Sequence, residues 1–255
     1  MQSESAYAIG KVGAMVRTKI TKKRVQNHFA YSFWKYMLWA LVSIFGWNLI
    51  YSVTAYRPPA DKKVDVYLVS YSMADGAEDQ LAALAQPEFQ DMEELNFMHI
   101  ALTDENDYYA NLQMSTYIGA QEGDVYLMPA SRFRTYAQGG LFIPLEEALA
   151  DGTIDPSGVD IDKARMTLVD DETGEVIGEG IFGIPAASLY GLMDLGIDNR
   201  ELWIGVTAYS KNAPNAMKMI GWLINTYQAD KPEWLVEQES AQPSVPLGED
   251  ALPSY

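Results

Sequence analysis

An uncharged apolar stretch, Tyr36 to Val53, most constrains what this chain can fold into. It has the sequence YMLWALVSIFGWNLIYSV, 18 residues in which Asn48 is the only strongly polar side chain. At about 1.5 Å per residue, a helix of this length reaches roughly 27 Å, close to the thickness of the hydrocarbon core of a bilayer. Tyr and Trp residues crowd both ends, as is typical of side chains at the headgroup level. The stretch predicts a transmembrane helix over residues 36–56 and is less typical of a buried core helix.

The flanking charges predict the orientation of this helix. Residues 1–35 hold seven Lys/Arg and one acid, Glu4, whereas the chain beyond Tyr56 holds 11 Lys/Arg and 34 Asp/Glu. Because basic flanks stay on the cytoplasmic side, we expect a cytoplasmic N-terminus and an extracytoplasmic C-terminal domain. A cleaved signal peptide is the alternative, with Val53-Thr54-Ala55 as the cleavage site. The long basic region, and an apolar run longer than the usual ~7–15 residues, favour a retained anchor.

Composition limits the chemistry that the remainder can perform. The chain contains no cysteine, so it has no disulfide, no thiolate metal site and no cysteine nucleophile. Its net charge is −17, and nucleic-acid binding requires a basic surface instead. We therefore expect no nucleic-acid partner.

Predicted strands and helices alternate after the anchor, which is typical of a mostly parallel sheet covered by helices. A hairpin is also predicted, because Met166–Val169 and Glu175–Ile177 flank an Asp-Asp-Glu-Thr-Gly turn. We expect a cytoplasmic basic segment (1–35), the transmembrane helix (36–56), a linker (57–63), an α/β domain (64–235) and a disordered acidic, Pro-rich tail (236–255). The predicted strands are 64–70, 95–102, 124–128, 181–185 and 202–208, and the main predicted helices are 76–86, 106–118, 132–138 and 212–227.

Three motifs resemble the extracellular solute-binding proteins of bacterial ABC importers. They are GDVYLMPASRFRTYAQGGLFIPLEEAL at residues 123–149, FGIP at 182–185 and AYSKNAPNA at 208–216, in the order that the family has them. The resemblance implies a periplasmic-binding-protein-like fold, a bacterial cell membrane location and a cleft residue on the Asp124-Val125-Tyr126 strand. It also implies transport as the setting, with a transporter or another membrane protein as partner.

The chain departs from this family at two points. Most of the family's second lobe lies between the second and third motifs, where this chain has only residues 186–207, 22 residues. The lipid-anchoring cysteine of the family is absent as well. The resemblance therefore implies a reduced, membrane-anchored relative with a single lobe, in which a small solute would lose half of its contacts.

Signals for an enzyme are weak. The sequence Gly178-Glu179-Gly180-Ile181-Phe182-Gly183 spells G-x-G-x-x-G, but it follows a predicted hairpin and leads into a strand instead of a helix. The only two histidines are His28 and His99, too few for a His-based metal site or the usual serine triad. We predict no catalytic residue, no metal site and no cofactor.

Candidate binding residues follow the predicted strands, because ligands of open α/β sheets bind beyond the carboxyl ends of the strands. This argument points to the loops after the first three strands, and tyrosines there suit either a sugar face or a protein partner. The predicted ligand or partner surface is Ser70, Tyr71, Ser72, Asp104, Tyr108, Tyr109, Tyr126 and Arg132.

Three functions remain open from the sequence. The first is a non-enzymatic accessory or interaction subunit of an ABC-type transporter, carrying a truncated solute-binding-like domain on one membrane span. The second is a membrane-tethered protein that binds or senses a small, sugar-like ligand. The third is a subunit associated with an envelope enzyme.

Overall fold

The computed structural model describes residues 21–169 and 173–241, and the chain divides into two compact units, Met1–Arg57 and Pro58–Tyr255. Segments 1–20 and 242–255 and the hairpin turn 170–172 lie outside the described residues. The helices are α1 (Lys22–Thr54), α2 (Ala77–Ala85), α3 (Tyr108–Gly119), α4 (Ala130–Gln138), α5 (Glu146–Ala150), α6 (Ala213–Tyr227) and α7 (Glu233–Ala241). The strands are β1 (Lys63–Ser70), β2 (Glu94–Ala101), β3 (Val125–Pro129), β4 (Arg165–Val169), β5 (Val176–Ile181), β6 (Ile184–Pro185) and β7 (Leu202–Val206).

Helix α1 is the described element of the first unit. Its part Ala30–Thr54, 25 residues, is long and apolar enough to cross a membrane, a property that a signal sequence near an N-terminus shares. The helix begins well before the predicted span because residues 22–35 contain neither Gly nor Pro to stop it.

The second unit is built on a five-stranded sheet in the order β2-β1-β3-β7-β6. Strands β2 and β3 pair with β1 in parallel, whereas β7 is antiparallel to both β3 and β6. Every residue of β1 after Lys63 is buried, as expected for a strand covered on both faces. The predicted α/β class with a mostly parallel sheet is confirmed.

Helices cover both faces of this sheet. Tyr67 contacts Tyr117 of α3, with ring centroids 4.9 Å apart, whereas Phe97 contacts Trp222 of α6 at 6.5 Å. The strand register pairs Phe97 with Val66, and side chains of consecutive strand residues point to opposite faces. Helices α3 and α6 therefore lie on opposite sides of the sheet, which gives three layers.

The predicted hairpin is present as an antiparallel pair, β4 and β5. Gln138 at the end of α4 supports it, because its side-chain amide donates to the Thr167 carbonyl at 3.0 Å and accepts from the Val169 N–H at 2.8 Å. The G-x-G-x-x-G sequence lies on β5 and in the turn to β6, so no helix follows it to receive a phosphate.

Several predicted boundaries differ from the structure. Helix α4 begins at Ala130 instead of residue 132, and the predicted strand 181–185 is divided between the end of β5 and the two-residue β6. Helix α3 begins at Tyr108 instead of the predicted residue 106, because the Asp107 side chain accepts from the Ala110 N–H at 3.0 Å and caps the helix. Helix α7 takes in residues 236–241 of the segment predicted to be a disordered tail. Its Leu235, the last residue of the predicted domain, is buried.

Candidate functional site

The carboxyl ends of β1, β2 and β3 meet at one edge of the sheet, together with the start of the antiparallel β7. The loops 71–76 and 102–107 leave the sheet at this edge, and α4 begins there directly after β3. We call it the carboxyl edge. All the predicted site residues except Tyr126 lie in or beside these loops, at the strand ends or at the starts of α3 and α4.

The loop after β1 is held by its serines. Ser70 is buried, and its hydroxyl donates to the Ser72 carbonyl at 2.9 Å and lies 3.0 Å from Nε2 of His99. Ser72 in turn donates to the Gly196 carbonyl at 2.6 Å. In the described part of the chain no carboxylate bonds to His99, so the Ser70–His99 pair lacks the third member of a catalytic triad.

The loop after β2 is organised by Asp107. Its carboxylate accepts from the Ala110 N–H, from the Thr103 hydroxyl at 2.7 Å and from the Thr103 N–H at 2.9 Å. These hydrogen bonds, the one from Ala110 foremost, lower the pKa of Asp107 to about 2. Asp104, which was predicted for the site, is exposed and accepts from the Asn106 N–H at 2.7 Å, so it shapes the turn.

Arg132 ties α4 to this loop. Its guanidinium is largely buried, donates to the Glu105 carbonyl at 2.8 Å and also donates to the Asn111 side-chain oxygen. These hydrogen bonds connect α4 to the loop after β2 and to α3, so Arg132 stabilises this loop.

The exposed part of the carboxyl edge is aromatic. Tyr71 is 48% exposed, Tyr108 70% and Tyr109 80%, and the last two rings meet edge to face with centroids 5.7 Å apart. None of the 12 residues of α3 carries a charge. We call its outward surface the α3 face: Tyr108, Tyr109, Leu112 and Thr116, all of them exposed.

A shallow concavity of about 280 Å³ borders Tyr71 at the same edge. Its other lining residues are Pro129, at the end of β3, and four residues that were not predicted from the sequence: Asp198, Arg200, Glu201 and Leu202. Nε of Arg200 donates to Asp198 at 2.8 Å, so the wall is an ion pair. Asp198, Arg200 and Glu201 precede β7, and the antiparallel direction of β7 brings them to this edge. No local sequence pattern predicts that placement.

Tyr126 does not belong to this surface, and its prediction as a site residue is wrong. It is fully buried on β3, where its ring stacks on Tyr67 at 5.0 Å and its hydroxyl donates to the Glu122 carbonyl at 2.9 Å. Burial, first of all, raises its pKa above the ordinary value. The side chain is apolar packing with a satisfied hydroxyl, and a ligand cannot reach it.

A second polar cluster lies at the opposite, amino edge of the sheet. Asp124 accepts from the Asp65 N–H at 2.9 Å and from the Ser210 hydroxyl at 2.6 Å, and Lys63 donates to the Asp65 carboxylate at 2.6 Å. A cavity of about 130 Å³ borders the cluster. The resemblance implies a cleft residue on the Asp124-Val125-Tyr126 strand. In this structure Asp124 precedes β3, at the end opposite the carboxyl edge, and its carboxylate is hydrogen-bonded to Asp65 and Ser210. We call these hydrogen bonds the Asp124 brace.

The described residues contain no group of three or more His, Asp or Glu side chains arranged to hold a metal ion. The carboxyl edge presents aromatic and hydrogen-bonding groups at its surface.

The chain matches no family model and no curated protein. Among solved structures, 40% of the chain is similar to an ABC substrate-binding protein from Listeria monocytogenes in complex with cycloalternan, at 23% identity and a TM-score of 0.31. A further match, to an extracellular solute-binding protein family 1 structure from Alicyclobacillus acidocaldarius, covers 51% of the chain at 15% identity and a TM-score of 0.34. The matched regions span 25% and 29% of those chains. These matches relate part of the chain to part of one ABC substrate-binding protein and part of one extracellular solute-binding protein.

Proposed function

We propose that this chain is a single-pass protein of the bacterial cell membrane that acts as a non-enzymatic accessory or interaction subunit of an ABC-type transporter. Residues 36–56 span the membrane, and the one-lobe domain of residues 64–235 lies outside the cytoplasm. The transporter setting comes from the three motifs that resemble ABC solute-binding proteins. The observation that carries the interaction role is the α3 face.

The α3 face suits a protein partner because it combines exposure with a lack of charge. The chain beyond Tyr56 holds 34 acids against 11 bases, yet α3 offers two exposed tyrosines and an exposed leucine with no charge among them. The cores of protein interfaces are depleted in charged residues and enriched in tyrosine. Repulsion and desolvation of carboxylates would therefore not oppose docking at this face.

A binding role that needs two closing lobes is less well supported. Residues 186–207, where the family resemblance places most of a second lobe, return directly to the same sheet, since the Ala186 N–H donates to the Leu202 carbonyl at 2.8 Å. The carboxyl edge consequently faces outward without an opposing lobe among the residues that the structure describes. An open surface of this kind favours a macromolecular partner over an enclosed small solute.

The test is a pull-down of the tagged, full-length protein from membranes in mild detergent, analysed by mass spectrometry. We expect stoichiometric recovery of a transporter or another membrane complex, and its loss in the double variant Tyr108→Ser/Tyr109→Ser. Trp234→Ser is the matched control, because Trp234 is an exposed aromatic residue on α7. Recovery of the protein alone, or equal recovery with the double variant, would contradict the proposal.

A second candidate function, binding of a small sugar-like ligand, is favoured by the concavity next to Tyr71. An exposed tyrosine ring beside the Asp198–Arg200 pair offers a stacking surface together with hydrogen-bonding groups. The test is a thermal-shift titration of the full-length protein in detergent with mono-, di- and trisaccharides. A saturable shift that Tyr71→Ala abolishes would support this function, and a flat response to all three classes would oppose it.

A further inference from the structure

The amide side chain of Asn48 is the one strongly polar group in the apolar stretch of α1. It is exposed on the helix surface, and within the described residues its side chain makes no hydrogen bond. In water such a group needs no partner. In a bilayer it faces hydrocarbon, where an unpaired amide is strongly disfavoured.

A neighbouring helix is the usual source of the missing hydrogen bonds. Asn, Gln, Ser and Thr side chains hydrogen-bond across helix interfaces in membranes and stabilise the association. Asn48 lies in a groove of about 450 Å³ along one side of α1, together with Ser43, Ile44, Trp47 and Tyr51. The groove has room for a few side chains of a second helix and offers polar groups to them.

The spacing of residues along this side fits a long helix–helix contact. Leu41, Ile44, Asn48 and Tyr51 follow one another at alternating intervals of three and four residues, the repeat that keeps one seam facing a partner over several turns. A single Asn in such a seam sets the register, because it must meet a hydrogen-bonding group on the partner helix.

We propose that α1 pairs in parallel with α1 of a second copy of this chain, and that the two Asn48 amides hydrogen-bond to each other. Two copies insert with the same orientation, so a two-fold axis along the membrane normal brings both Asn48 side chains to the same depth. Each amide carries donors and an acceptor and therefore complements itself. The inference rests on the proposed function only in that α1 spans the membrane.

Cysteine cross-linking tests this pairing directly, because the chain contains no cysteine of its own. The full-length variants Ile44→Cys, on the seam, and Val42→Cys, on the opposite side of the helix, are oxidised in native membranes. We expect Ile44→Cys to form a covalent dimer and Val42→Cys to form little. Adding Asn48→Leu to Ile44→Cys should lower the dimer yield about five-fold or more, whereas Asn48→Gln, which keeps the amide, should retain most of it.

Carbonate extraction of the same membranes tests the membrane span of α1 separately from the pairing of two α1 helices. If the protein resists extraction but Ile44→Cys gives no dimer, or gives a dimer that Asn48→Leu does not reduce, the pairing is overturned and the membrane span stands. If carbonate releases the protein, the span itself fails. A cross-link from Ile44→Cys to a different membrane protein would overturn the second copy as the occupant of the groove.

Discussion

The Asp124 carboxylate accepts a hydrogen bond from the backbone N–H of Asp65 at 2.9 Å, and the two residues are 59 positions apart in sequence. The same carboxylate accepts from Ser210 at 2.6 Å, which connects the segment after β7 to the amino edge of the sheet. The brace therefore couples β1, β3 and the entry to α6.

Substitutions of Asp124 should distinguish the contribution of its hydrogen bonds to stability from the contribution of its charge. Asp124→Ala leaves the Asp65 N–H and the Ser210 hydroxyl without their acceptor, and we expect the free energy of unfolding to fall by about 1–3 kcal/mol. Asp124→Asn can accept from Asp65 and donate to the Ser210 oxygen, so its cost should be clearly smaller. Urea unfolding of the compact unit 58–255 measures both variants, and equal losses would contradict the brace.

The ionisation of Asp124 should make the folded protein less stable as pH rises. Burial, partly opposed by the hydrogen bond from Ser210, raises its pKa above the ordinary value of 3.8. Its contribution to stability is therefore complete below the unfolded pKa and is lost as pH rises through the higher folded pKa. We expect the stability of Asp124→Asn relative to the wild type to increase from pH 4 to pH 7, and parallel curves would refute this.

Asp107 should have the opposite effect on the pH dependence of stability: its ionisation stabilises the folded protein. Its folded pKa of about 2 lies below the ordinary 3.8, so its stabilisation is present above the unfolded pKa and is lost as pH falls through about 2. Asp107→Asn should lower the Tm by a few degrees at pH 7 and have little effect near pH 2. Asp104→Asn is the control, because Asp104 accepts only from the local turn in the described structure; an equal effect there would argue against a special role for the cap.

The contact between β7 and α4 leaves no room at Gly205. A Cβ at this position would lie 2.7 Å from Cζ of Phe133 and 2.9 Å from Cδ1 of Phe142, in the middle of a ring pair stacked at 4.1 Å. Gly205→Ala should therefore cost about 1–3 kcal/mol of unfolding free energy. Gly178→Ala on β5 meets nothing within 4 Å and should be tolerated; a similar loss in both variants would show that crowding is not the cause.

The absence of native cysteine also permits a clean test of topology. Single cysteines at two exposed positions, Gln26→Cys before the apolar stretch and Gln90→Cys in the domain, lie on opposite sides of the proposed span. A membrane-impermeant maleimide applied to intact spheroplasts should label Gln90→Cys strongly and Gln26→Cys only after lysis. The reverse pattern, or labelling of both, would rule out the proposed orientation.

Local sequence patterns predicted most of the helices and strands, but not how the strands pair or which residues meet in space. Strand and helix alternation from Val64 to Tyr227 follows from side-chain periodicity, a property of neighbouring residues. The structure has most of these elements close to their predicted bounds, but it divides the predicted strand 181–185 between β5 and β6. Helix α3 begins at Tyr108 instead of the predicted residue 106, because several acids lie in one short loop and the hydrogen bonds of Asp107 with Thr103 and Ala110 make it the cap.

The candidate site depended more heavily on long-range contacts. Tyr71, Tyr108 and Tyr109 were predicted and are exposed, whereas Tyr126 is buried by Tyr67 on the neighbouring strand. Asp198 and Arg200 were not predicted, because their place beside Tyr71 depends on β7 running antiparallel to β3.

The sequence by itself determined the apolar helix, the lack of cysteine chemistry, the excess of acidic residues beyond Tyr56 and the order of strands and helices. These follow from composition and from periodicities of a few residues, which act locally along the chain. Only the tertiary structure decided which polar residues became buried braces, such as Asp124 and Arg132, and which tyrosines remained on the surface. The physical reason is that burial and hydrogen bonding depend on residues far away in sequence, brought together by strand order and by the packing of helices on both faces of the sheet.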